Sequence, residues 1–186
     1  MTALQDALAA IDVANAADPH LQDSRPAALM YGQRMTAELD RLFPSASEPL
    51  QIAARGQHVE RWLLSRKDYP EGKEGYLAWR REQGRRHAAR VAGIMADAGY
   101  GPDDIAAAER MLRKEGIKRD PEVQALEDVI CFVFLRWYFA EFAMHRGAED
   151  VLDIVQKTAR KMSAAGRARV IEEFDLPADL AATFRD

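Results

Sequence analysis

Apolar positions recur at helical spacing along almost the whole chain. Leu4, Leu8, Ile11 and Asn15 mark a first helix that Asp18-Pro19 closes. Ser24-Arg25-Pro26 opens a second, carrying Leu29, Met30, Met35, Leu39 and Leu42 and stopping near Pro44. Ser47-Glu48-Pro49 opens a third, predicted to run through Leu50, Ile52, Ala53, His58, Trp62 and Leu63. Pro70, Gly72 and Gly75 make residues 65–75 a loop. Helical patterning returns over 76–98 and again over 103–115, where Gly116 is the expected C-cap. Asp120-Pro121 starts a long helix that turns apolar on nearly every face from Val129, so a central buried helix is expected near 121–145. Residues 149–161 form another, and Ser163 is placed to cap a last helix reaching Phe174. No period-2 pattern, repeat or linker interrupts this. The expectation is one all-α domain, with no sheet beyond a short hairpin.

Composition narrows the class. With 186 residues there is ample chain for one core. A single cysteine, Cys131, rules out an internal disulfide and a cysteine metal cage, and a reducing cytoplasm is the simple reading. Cys131 itself falls inside the apolar helix and reads as core. The N-terminus has no secretory pattern, and the apolar run 129–144 is interrupted by Arg136 and Glu141, too short and too charged for a membrane span. A pI near 5.6 argues against general nucleic-acid binding.

Charge is distributed unevenly. The segment 55–90 holds ten Lys/Arg against five acids inside a chain of formal charge −4. It also carries two of the four histidines and two tryptophans. A basic, aromatic, histidine-bearing island in an acidic protein suits a small anion or a metal. Arg55, His58, Arg61 and Trp62 are spaced to share one helix face, and His87-x-x-Arg90-Val91 repeats the His-x-x-Arg pattern of His58. Asp128, Cys131, Phe132 and Leu135 are spaced to put the Asp128 carboxylate on an inward face, which is costly unless the group is paired or metal-bound. Two imidazoles and one or two carboxylates could hold Zn, Mn, Fe or Ni. Each histidine could equally be a stacked or hydrogen-bonded core residue, and Asp128 could form a structural ion pair with Arg55 or Arg61. Of Arg80, Arg81, Arg85 and Arg86, Arg80 is expected to face inward beside Trp79.

The run His58-Val59-Glu60-Arg61-Trp62, then His87, then Asp120 to Asp128 resembles the layout of HD phosphohydrolases, with Ala88 standing where that layout has its paired aspartate. A closer resemblance covers nearly the whole chain. Tyr31-Gly32-Gln33-Arg34-Met35, Ala54-Arg55-Gly56-Gln57-His58, Trp79-Arg80, Leu126-Glu127-Asp128 and Lys157-Thr158-x-x-Lys161-Met162-Ser163 are similar to the family called domain of unknown function 4202. That resemblance groups Arg55, His58, Trp79, Arg80, His87, Lys114, Glu127, Asp128 and Lys157 as one candidate site. The expectation is an HD-like hydrolase acting on a small anionic, phosphorylated or nucleotide-like substrate. His58, His87 and Asp128 would hold a divalent metal, and Glu127 and Lys114 would serve catalysis. Arg55, Arg61, Trp79, Arg80 and Lys157 would bind substrate. The alternative is a non-catalytic ligand-binding or regulatory domain on the same scaffold.

Overall fold

The structure, a computed structural model, describes residues 1–185. These are helical apart from loops and one two-residue hairpin, as the apolar spacing requires. No helix among the described residues is long and apolar enough to cross a membrane. The chain packs as two compact units, the first Met1–Glu115 and the second beginning at Gly116.

In the first unit, α1 (Ala3–Ala16) is started by a capping box, Thr2 with Gln5, and buries Ala7, Ile11 and Asn15. A hairpin follows, with Leu21 opposite Pro26 and Gln22 opposite Arg25. Its turn residues Asp23 and Ser24 both take positive φ, 50° and 62°, which matches the twist of a two-residue hairpin loop. Of residues 24–26, expected to open a helix, Ser24 completes the turn and Arg25–Pro26 form the second strand, and α2 (Ala27–Leu42) starts directly after it. Buried Asp18 holds this entrance by accepting from the Ala28 amide at 2.9 Å. Next comes α3 (Glu48–Arg55), capped by the Ser47 side chain.

The expected length of α3 is wrong. It stops at Arg55 and does not reach Leu63, so Arg55, His58, Arg61 and Trp62 share no helix face. Gly56 is the reason. A Cβ there would lie 2.5 Å from Val91 Cγ2, so the chain is pressed against the next long helix and turns away. Glu60 then takes a left-handed φ of 52°, its amide held by Asn15 Oδ1 at 3.1 Å, and Arg61–Leu63 form one 3₁₀ turn.

That long helix is α4 (Gly72–Asp97), starting earlier than expected. Its buried residues Gly75, Trp79, Gln83, His87 and Val91 stand four apart, one per turn. The preceding loop folds back onto the first turn: a Cβ on Gly75 would lie 1.9 Å from the Pro70 carbonyl oxygen. Helix α5 (Pro102–Arg113) ends on Lys114, not on Gly116; Lys114 itself is the left-handed cap residue, with φ 59°.

In the second unit, α6 (Pro121–Val133) begins at Asp120, whose side chain accepts from the Glu122 and Val123 amides. Burial along it is nearly continuous as far as Leu135. The expected buried helix to 145 then changes character. Residues Phe134–Tyr138 form a π-helical turn, and α7 (Phe139–Met144) has no buried residue. One extra residue in a π turn rotates everything after it out of phase with the core-facing stripe. Helices α8 (Ala148–Lys161), α9 (Ala164–Glu173) and α10 (Ala178–Ala182) complete the unit. Ser163 caps α9 as expected, accepting from the Gly166 amide. Cys131 is buried and points to the Thr158 carbonyl, a core position.

Candidate functional site

The site in the first unit is assembled by the inner face of α4. Trp79 donates its indole N–H to the Leu64 carbonyl at 3.1 Å. One turn further, the buried Gln83 amide donates to the carbonyls of Arg61 at 2.9 Å and Leu64 at 3.2 Å. These three bonds pin the non-helical segment 61–64 onto α4. They return Arg61 to the histidines by a different route from the one helix periodicity suggests.

Arg61 then lies between two rings. Its Nη1 is 2.8 Å from His58 Nε2, and its guanidinium carbon is 4.9 Å from the centroid of Trp79. A face of the His58 ring stacks on Tyr31, with centroids 3.9 Å apart and planes 14° from parallel. The His58 and His87 rings are 6.1 Å apart. Arg80, half-buried, donates to the Tyr76 hydroxyl at 3.2 Å, whereas Arg81, Arg85 and Arg86 are exposed, as the sequence implied.

Electrostatics in this cluster run one way. Burial pushes the His58 imidazolium well below the ordinary histidine range, and the charges of Arg61, Arg80 and Lys114 push it further. His87 is lowered to about 3, first by burial, then by Arg61 and Arg80; a hydrogen bond to the Gln57 backbone opposes this only in part. Arg61 is lowered as well, by burial and by Arg80. Both imidazoles are therefore neutral at pH 7 in a field set by Arg61, Arg80 and Lys114. A carbonyl holds one ring nitrogen of His87, and its Nε2 is buried with no partner.

The remaining expected site residues are placed otherwise. Arg55 forms a two-pronged pair with Asp12, both bonds 2.7 Å, and a third bond to Thr36 at 2.9 Å. This ties α3 to α1 and α2. Lys114 ends α5 in its left-handed conformation, half-buried, close enough for its charge to act on His58. Asp128, Glu127 and Lys157 belong to the second unit. Buried Asp128 accepts from Gln124 Nε2 at 3.1 Å, the Ser163 amide at 2.8 Å and the Ser163 hydroxyl at 2.5 Å. Gly166 is packed against that carboxylate, since a Cβ there would be 2.9 Å from Asp128 Cγ. Glu127 is 2% exposed with Lys161 Nζ at 4.0 Å, and Lys157 pairs with Asp153 on the surface. Among the described residues no group of three or more His, Cys, Asp or Glu is arranged to hold a metal ion.

The family described as Domain of unknown function (DUF4202) matches residues 5–183. The chain belongs to that family. No curated protein and no solved structure matches it. The family assignment therefore brings no activity with it, and the chemistry has to be read from the side chains. Tyr31, Gln57 and Gln83 gain roles that the charge and histidine pattern did not single out. The four-residue ladder Gly75, Trp79, Gln83, His87 was the signal available for Gln83.

Proposed function

We propose that the first unit binds a small oxyanion through Arg61, Arg80 and Lys114, with His58 and His87 as neutral hydrogen-bonding partners. Of the two expectations this favours ligand binding on a degenerate HD-like scaffold over hydrolysis. The observation that carries it is the gathering of three cations around two imidazoles that are themselves uncharged. An anion would relieve the mutual repulsion of Arg61 and Arg80 and offer both a charge-assisted partner. Trp79 and Tyr31 act as the walls that hold Arg61 and His58 in place.

Metal loading by His58, His87 and Asp128, with Glu127 as general base, is the competing proposal. One feature favours it: a histidine held at one nitrogen by a carbonyl, with the other nitrogen uncommitted, is the arrangement metal-binding histidines use. The cations around the imidazoles and the three donors already on Asp128 count against it.

The test is thermal. At low ionic strength, millimolar phosphate or sulfate should raise the melting temperature, because an anion bound by the native state alone stabilises it by mass action. Arg61→Gln and Arg80→Gln should remove the shift. No shift with either oxyanion in the unaltered protein would end the proposal. Element analysis of the purified protein, returning a stoichiometric transition metal, would favour the competitor.

A further inference from the structure

Resting on that anion site, we infer that its ligand is a phosphate carrying its own O–H, inorganic phosphate as HPO₄²⁻, and that His87 Nε2 accepts that hydrogen. The argument starts from the nitrogen. Nε2 of His87 is buried and has no hydrogen-bond partner. The bond to the Gln57 backbone uses the ring's other nitrogen as donor, so the neutral ring carries its proton there and Nε2 is a bare lone pair. A buried acceptor left unpaired is costly, and a ligand that supplies a donor recovers that cost.

The surroundings then select the donor. Arg61 and Arg80, the two charges that act on His87, call for an anion. A metal ion or ammonium group at Nε2 would meet both of these cations. The group that satisfies both demands is an anion bearing a hydroxyl, and singly protonated phosphate is one that also carries two negative charges for the two arginines. Sulfate has the same shape and no proton to give. A site that depends on such a bond rejects the isostere lacking it far more sharply than an apolar pocket rejects a missing methylene.

Access is consistent with this. Arg61 and His58 are only half-buried, and they hold each other across 2.8 Å. An anion that takes the Arg61 guanidinium competes directly with His58 for it, so binding loosens the pair that stands beside His87.

The experiment compares phosphate with sulfate on the full chain at pH 8 and low ionic strength, where both ions carry two negative charges and phosphate alone keeps an O–H. Calorimetric titration should show phosphate binding tighter by about tenfold or more. In ¹H–¹⁵N imidazole spectra the His87 Nε2 resonance should move with phosphate and stay with sulfate. His87→Leu should level the two affinities while sulfate binding persists. If that variant does not fold, the preference and the spectra of the unaltered protein decide alone. Equal affinities, or a preference for sulfate, would overturn the inference and leave the anion site standing. Binding of neither ion would remove the anion site and the inference together.

Discussion

Arg61 donates from Nη1 to Nε2 of His58 across 2.8 Å. A guanidinium can only donate, so this single bond fixes His58 as the acceptor and as the neutral tautomer. It also predicts the pH response. Both histidines have folded-state values below the unfolded value near 6.5, His87 at about 3. Below 6.5 the unfolded chain binds protons at these positions that the native state does not, so the histidine contribution to stability falls as pH drops through 6.5, and the part carried by His87 levels off below about 3. The loss should reach several kcal/mol. Denaturant midpoints measured from pH 8 to pH 4 check it, and NMR should find His87 unprotonated at pH 5. A His87 titrating near 6.5 would contradict the burial and charge argument.

Arg55 provides the control for the anion site. Its fork is filled by Asp12 and Thr36 and holds three helices together. Arg55→Ala leaves a half-buried carboxylate without its partner, at a cost of about 2–3 kcal/mol. The stabilisation by phosphate should survive in the folded fraction. An Arg55→Ala protein that folds normally but has lost its anion response would return Arg55 to the binding site.

Asp128→Asn separates a structural carboxylate from a metal ligand. The carboxylate accepts from the Ser163 amide and hydroxyl and so positions the residue that caps α9. Asparagine keeps one oxygen for the Ser163 amide but turns its NH2 toward the Ser163 hydroxyl, which must then accept where it donated, and the charge-assisted bond is lost, at about 1–3 kcal/mol. Urea denaturation should show that loss while the anion response stays as in the unaltered protein. Loss of the response in a folded variant would support the metal assignment instead.

Gly75→Ala tests how the loop reaches α4. The added methyl would overlap the Pro70 carbonyl, an impossible approach of 1.9 Å. The loop over 65–71 must move, and the Leu64 carbonyl with it, weakening the bonds from Trp79 and Gln83 that place Arg61. The expected outcome is a destabilisation of about 2 kcal/mol or more, a changed tryptophan emission and a weaker phosphate response. An unchanged spectrum with full response would mean that Arg61 is placed by something else.

How much was legible differs between the elements. Local rules suffice where a cap, a proline or an apolar repeat acts within a few residues. Ser47, Asp120 and Ser163 cap the helices they were expected to cap, and the all-α class follows from spacing alone, whereas Arg80 stands beside the buried stripe of α4, half-buried. The family is legible for the same reason, since its motifs are runs of adjacent residues. Tertiary packing decided the rest. The spacing of Arg55, His58, Arg61 and Trp62 is helical, yet Gly56 meets Val91 from a helix 35 residues away and the chain turns aside. Arg55 and Asp12 find each other across 43 residues, and Asp128 and Ser163 across 35. Periodicity reports which positions want burial. Which partner satisfies a buried arginine or carboxylate depends on what the fold brings within three ångströms, and no local pattern encodes that.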